Sequence, residues 1–153
     1  AKMAVNVDIS GKILEKGRFN YALNALECLP GEFFKGNAFE YLAWAKKREK
    51  LFDIIVLDPP SFARYKGFSF NVQRDLDSLV EASAAVLAPA GFLMVSSNYS
   101  AFRLENFAQK ALNNVKKICG NAQIIWKRSQ SADFTGTGLT KDSSLCAVLI
   151  QNH

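Results

Sequence analysis

The chain has little of what many enzymes use for chemistry. Its single histidine, His153, is the last residue, where chain ends usually fray, so a histidine base or ligand is not expected. The three cysteines, Cys28, Cys119 and Cys146, are odd in number and far apart, which excludes a metal-binding knuckle and a secreted-type disulfide framework. No stretch reaches the roughly 18 apolar residues of a membrane span, and the first residues lack the charged start and apolar middle of a signal peptide. There are no internal repeats or low-complexity tracts. A soluble, cytoplasmic protein is expected.

What is present is enough apolar material for one core. Of 153 residues, 49% are hydrophobic, matching a single domain. Nineteen Lys and Arg against fourteen Asp and Glu leave an excess of +5, a mild preference for polyanions that ordinary soluble proteins share. The runs "MAVNVD" (3 to 8) and "FDIIVLD" (52 to 58) are short, rich in β-branched residues and end on an acid, as buried parallel strands do when their carboxyl ends face a site. Strand-like runs also occupy 32 to 37, 91 to 97, 123 to 129 and 144 to 151.

Helical patterns fill most of the intervals. Ser10 can cap a helix from 11 to about 27, and Asn37 with Glu40 resembles a capping box for 38 to 49. Val72, Leu76, Leu79, Val80 and Leu87 share one helical face, as do Leu104, Phe107, Ala108, Ala111, Leu112 and Val115. The alternation predicts a Rossmann-like α/β fold: an open, mostly parallel sheet with helices on both faces and a ligand site outside the strands' carboxyl ends. No helix pattern separates the last two strands, so they should form an antiparallel hairpin across the long loop 129 to 143. A nucleotide-binding sheet usually opens with a strand and a glycine-rich turn. This chain starts on what reads as the second strand, so residues 1–153 are expected to be part of a longer catalytic domain.

Each strand-end residue has a chemical reading and a plain one. Asp8 could accept hydrogen bonds from both hydroxyls of a ribose, or simply cap the next helix. Asn37 with the Ala38 N–H could hold an adenine edge, or Asn37 could be only an N-cap. In "FDIIVLDPPSF" the paired prolines must end the strand and hold the Asp58 carboxylate at a rigid tip. Alone this motif is a stiff turn; third in a series of acid- or amide-ended strands, it suits the positioning of a planar base. Between Phe62 and Phe70, aromatic residues alternate with Arg64 and Lys66, a loop able to stack unpaired bases and hold phosphates, although Phe62 and Phe68 could equally pack beneath it as core.

These stretches resemble the class I S-adenosylmethionine-dependent methyltransferases, in particular the bacterial large-subunit rRNA methyltransferases. "VNVDIS" (5 to 10), "GNAFEYL" (36 to 42) and "FDIIVLDPPSF" (52 to 62) look like the ribose, adenine and catalytic motifs. "NVQRD", "LAPAGFLMVSSN" and "FRLENF" continue the match over nearly the whole chain. The "SN" followed by "FR" is closest to the guanine-N7 branch. The resemblance implies S-adenosylmethionine as cofactor, held by Asp8, Ile9, Asn37 and Ala38, and Asp58, Pro59 and Pro60 as the catalytic tip. Ser61, Phe62, Arg64, Tyr65, Asn98 and Arg103 would meet the rRNA, with a further RNA-binding domain in the full-length protein. Two departures stand out: the glycine-rich methionine-binding loop is missing, and Asn37 replaces the usual Asp of the adenine segment.

The methylated atom is approached by elimination. Cytosine C5 needs a cysteine nucleophile; the related branch carries it where this chain has Ser97-Asn98-Tyr99-Ser100, and all three cysteines fall outside the site loops in sequence. Guanine N7 has an in-plane lone pair and needs only in-line placement, whereas an exocyclic amine could be held by Asp58 and the Pro59 carbonyl. A noncatalytic RNA-binding module of the same fold is the alternative outside enzymes. A dehydrogenase-like dinucleotide domain is weakened because the double-proline tip leaves no place for a catalytic Tyr-Lys pair or His.

Overall fold

The structure is a computed structural model that describes residues 2–129 and 145–153. In chain order the elements are β1 (Asn6–Asp8), α1 (Gly11–Leu23), β2 (Phe33–Lys35), α2 (Ala38–Lys47), β3 (Phe52–Leu57), β4 (Phe62–Tyr65), β5 (Phe68–Asn71), α3 (Val72–Ala84), β6 (Leu87–Ser97), α4 (Leu104–Cys119), β7 (Ala122–Ser129) and β8 (Cys146–Asn152). The alternation read from the sequence is therefore present. The predicted long loop lies, from residue 130 to 143, outside the described residues.

The chain contains two parallel strand pairs. β1 pairs with β2, and β3 pairs with β6. β8 then enters between β6 and β7, antiparallel to both, giving the order β3-β6-β8-β7. The terminal hairpin is thus formed as expected, with its last strand inside the sheet rather than at the edge. β1–β2 is a separate two-stranded sheet, not hydrogen-bonded to β3.

Alternation along the strands shows where helices pack. On β2, Phe33 meets Tyr21 of α1 with ring centroids 5.2 Å apart, while neighbouring Phe34 meets Tyr41 of α2 at 5.1 Å. Successive strand residues point to opposite faces, so α1 and α2 flank this pair on both sides. In the four-stranded sheet, Leu57, Leu93, Val95, Val148 and Ile150 join the buried stripes of α2, α3 and α4 in one core. The alternate residues Ile54 and Val56 are 66% and 59% exposed, and their partners across the register are Phe92 and Met94. Among the described residues this second face has no packed helix like that on the first.

Helix α3 starts where Asn71 accepts the Gln73 N–H at 3.0 Å, and the Asn71 N–H donates to Asp75 at 2.8 Å, a reciprocal cap. Lys117–Glu81 and Lys110–Asp77, at 2.8 and 2.7 Å, link α3 to α4. Both pairs are solvent-facing, so each contributes under about 1 kcal/mol and the apolar seam dominates.

Several element ends fall one to three residues short of the sequence reading, with β1 starting at Asn6, β2 spanning Phe33–Lys35 and α2 ending at Lys47, and two further departures change the local structure. α1 stops at Leu23 rather than about residue 27. Leu87, predicted on the helical face of α3, begins β6 instead. The chain turns at Ala85 and enters an irregular strand start containing Pro89 and Ala90, the latter with φ of +59°. A Cβ at Gly91 would lie 2.8 Å from the Ala88 carbonyl oxygen and 3.1 Å from that of Asp53; glycine lets this bend close against β3.

Leu93, fully buried between β3 and β8, is expected to destabilise the chain by about 2–5 kcal/mol when replaced by alanine. Chemical denaturation measures this, and a loss below 1 kcal/mol would contradict the core described.

Candidate functional site

The ends of β1 and β2 lie side by side: the Gly36 N–H donates to the Asp8 carbonyl at 3.0 Å. Asp8 Oδ1 accepts the Ser10 N–H at 2.7 Å, closing the turn into α1. Its Oδ2 has no hydrogen-bond partner among the described residues. Ile9, half-buried, sits within that turn. Asn37 Oδ1 accepts the Phe39 N–H at 2.9 Å, so Asn37 is the N-cap of α2. Ala38 is the first helical residue, whose N–H lies outside the helical ladder. The plain reading of Asn37 is therefore realised, whereas Asp8 closes the turn before Ser10, the residue at the N-cap position of α1, rather than capping the helix; the two residues are also brought together at one edge.

The second cluster surrounds the tip of β3. Leu57 is opposite Val95, so Asp58 emerges next to Ser96. The Ser96 hydroxyl donates to Asp58 Oδ1 at 2.7 Å and lies 3.3 Å from the Leu57 carbonyl oxygen. Pro59 and Pro60 end the strand because they have no N–H to continue it. The Ser61 hydroxyl then reaches Asn98 Oδ1 at 3.4 Å, which joins the tip of β3 to the segment after β6. Arg103 caps the sequence of these segments at the start of α4, its Nη1 donating to the Ser100 carbonyl at 3.1 Å.

Residues 62 to 70 are not the loop read from the sequence. They form an antiparallel hairpin, β4 and β5, whose two-residue turn Lys66-Gly67 has φ of +44° and +80°. Positive φ at both central residues favours the turn whose twist matches paired strands. The signal was the alternation of aromatic residues around a central glycine, obscured by the lysine at the position where Asn or Asp is usual. Pairing puts Phe62 and Arg64 on one face with Asn71 and Ser69, and Tyr65 on the other with Phe68. Phe62 and Tyr65, grouped by sequence as base-stacking residues, are thus separated.

Phe62 is 51% exposed, and the Arg64 guanidinium lies 5.2 Å from its ring centroid. The core residue of this segment is Phe70, not Phe62; Phe68 is half-buried against Phe39 at 5.8 Å. That ring contact sets the hairpin beside the first turn of α2, and so beside Asn37. Arg74 fixes the other side, donating to the Ser69 carbonyl at 2.9 Å and pairing with Asp75. The Arg74 hydrogen bond, followed by the Asn71 N–H, holds the Asp75 carboxyl below its ordinary range.

Two features escaped the sequence. Ser96 was only part of an apolar run, and its role depends on the β3–β6 register. Cys146, far from the site loops in sequence, is paired opposite Ser97. It is 1% exposed, and burial pushes its thiol upward in pKa, with Arg103 acting weakly in the other direction. A buried thiol so held is a poor thiolate source. The cleft of about 230 Å³ between α3 and α4 includes Arg103 but neither Asp8, Asn37 nor Asp58; the strand tips, with their hydrogen bonds, are the better site. Among the described residues there is no metal-binding group of His, Cys, Asp or Glu, and no helix long and apolar enough to cross a membrane.

Known proteins share this arrangement. No model of a protein family matches the chain. A crystal structure of a provisionally assigned methyltransferase complexed with SAH superposes with a TM-score of 0.81 at 21% identity, covering 99% of this chain and 39% of that one. The SAM-dependent methyltransferase from Agrobacterium tumefaciens gives 0.73 at 19%, covering 96% and 48%. The chain shares the fold of these two methyltransferase structures.

In sequence, the provisionally named ribosomal RNA large subunit methyltransferase YwbD of Bacillus subtilis is 33% identical over 99% of this chain and 38% of its own length. Ribosomal RNA large subunit methyltransferase I of Tolumonas auensis is 32% identical over 87% and 34%. Methyltransferase K of Neisseria meningitidis is 31% identical over 76% and 34%. The chain spans little more than a third of these relatives' lengths, and over that part it is similar to proteins named as bacterial large-subunit rRNA methyltransferases.

Asn37→Ala should remove the α2 cap and cost about 1 kcal/mol of stability, whereas Asn37→Asp should retain most of it. Thermal or urea denaturation of the two variants checks this, and equal losses would argue against the cap.

Proposed function

We propose that the full-length protein transfers a methyl group from S-adenosylmethionine to a base of large-subunit rRNA, with guanine N7 the favoured atom. The observation that carries this reading is the tip Asp58-Pro59-Pro60-Ser61, held by Ser96 and Asn98 and followed by a hairpin whose Phe68 packs on Phe39, beside the Asn37 cap. The relatives' names and the SAH-complexed neighbour support the cofactor and substrate class.

The residues present fit the adenosine half of the cofactor. Asp8 retains a carboxylate oxygen for a ribose hydroxyl, and the Ala38 N–H is available for an adenine ring nitrogen, with Asn37 and Ile9 shaping that edge. The cofactor supplies an electrophilic methyl on a sulfonium. Asp58 and the Pro59 carbonyl accept from the donor groups of the target base and fix its plane, Pro60 keeps the tip rigid, and Ser61 with Asn98 closes the neighbouring edge. Phe62 offers an exposed face for an unstacked base; Arg64, Tyr65 and Arg103 meet the flanking RNA. In-line placement of this kind is worth roughly 7–11 kcal/mol and requires no proton removed from N7. The buried Cys146 thiol weighs against cytosine C5. An exocyclic amine stays the nearer competitor, because the same acceptors would hold it.

The chain is proposed to be part of a longer catalytic domain in a protein that acts in the cytoplasm and carries a further RNA-binding domain. A strand between β1 and β3, with a helix over Ile54 and Val56, would join the two parallel pairs and supply the methionine-binding turn. Charged replacements such as Ile54→Asp should then destabilise the full-length protein by about 2 kcal/mol or more and leave the 153-residue chain within about 0.5 kcal/mol. Equal effects in both would remove support for that covering segment.

With full-length protein and unmodified large-subunit rRNA, Asp8→Ala is expected to weaken cofactor binding about 10- to 100-fold by calorimetry. Asp58→Ala should abolish methylation while the cofactor still binds. RNA binding without cofactor affinity in the unaltered protein would instead identify a noncatalytic module.

A further inference from the structure

We propose that Ser96 is a positioning residue for the base-holding tip, acting through the Asp58 carboxylate; this rests on the methyl-transfer reading of that site. Asp58 is exposed at the end of β3, and nothing in the two prolines after it restrains its side chain. A solvent-facing carboxylate samples several rotamers, whereas base recognition needs one. Ser96 provides the restraint from a different strand. It is 7% exposed, so its hydroxyl has little access to water, and a buried donor must find an acceptor. Two lie in range: Asp58 Oδ1 at 2.7 Å and the Leu57 carbonyl oxygen at 3.3 Å. One proton serves best the shorter, charge-assisted bond.

The choice is built into the sheet. The parallel register Leu57↔Val95 places Ser96 beside the residue following Leu57, and on its other side Ser96 pairs with Ala147 of β8. Ser96 is therefore fixed by its pairing with β8 while its hydroxyl holds the residue just beyond the end of the β3 ladder. Asp58 Oδ2 has no hydrogen-bond partner among the described residues, which leaves that oxygen for the N–H groups of a base edge. A guanine presents two such donors on one edge, and a carboxylate with one oxygen anchored can meet them in a single orientation.

The test uses the full-length protein, cofactor calorimetry, thermal midpoints and turnover on unmodified large-subunit rRNA. Ser96→Ala should lower kcat about 10- to 100-fold, with cofactor affinity within twofold of the unaltered protein and the thermal midpoint little changed. Ser96→Thr keeps a hydroxyl on a strand-compatible side chain and should restore kcat to within a few-fold. If Ser96→Ala turns over normally while Asp58→Ala is inactive, the positioning role is overturned and the methyl-transfer reading stands. A fall in cofactor affinity or thermal midpoint that matches the fall in kcat, without rescue by threonine, makes Ser96 structural and also overturns it. Full activity in Asp58→Ala overturns the reading of the site itself.

Discussion

The parallel pairing of β3 with β6 is the constraint on which the candidate site depends. It aligns Leu57 with Val95, and from that single alignment follow the Ser96–Asp58 hydrogen bond and the approach of Ser61 to Asn98. A strand slipped by one residue would send every side chain to the opposite face. The buried series Leu57, Leu93, Val95 and Val148, packed beneath α3 and α4, makes such a slip costly, so the core fixes the geometry of residues that are themselves exposed.

The hairpin that follows Asp58 works by the same division. Its inner face, with Phe70 buried and Phe68 against Phe39, secures it to α2 and α3. Its outer face carries Phe62 and Arg64 toward solvent. Because Phe39 lies two residues beyond the Asn37 cap, the ring contact ties the segment proposed to meet RNA to the segment proposed to meet adenine. The two halves of the site are joined by side-chain packing, although β1 and β3 share no ladder.

The β1–β2 pair shares no ladder with the β3-β6-β8-β7 sheet, and Ile54 and Val56 are exposed on one face of the larger sheet. Apolar strand residues at this level of exposure are stable neighbours for another packed layer and poor ones for water. On the opposite face the described residues form one continuous core.

Local signals in the sequence were enough for the order of elements apart from β4 and β5, for the strand-end positions of Asp8, Asn37 and Asp58, and for the rigid stop at Pro59-Pro60, because hydrophobic periodicity, capping and proline stereochemistry act over a few residues. It also contained the ordered stretches that resemble the methyltransferases. Long-range packing makes residues 62 to 70 a hairpin separating Phe62 from Tyr65, puts Leu87 in a strand, buries Cys146 across from Ser97, and lets Ser96 hold Asp58. Each of those facts depends on which strands become neighbours and in what register, and that choice is made by packing among residues dozens of positions apart.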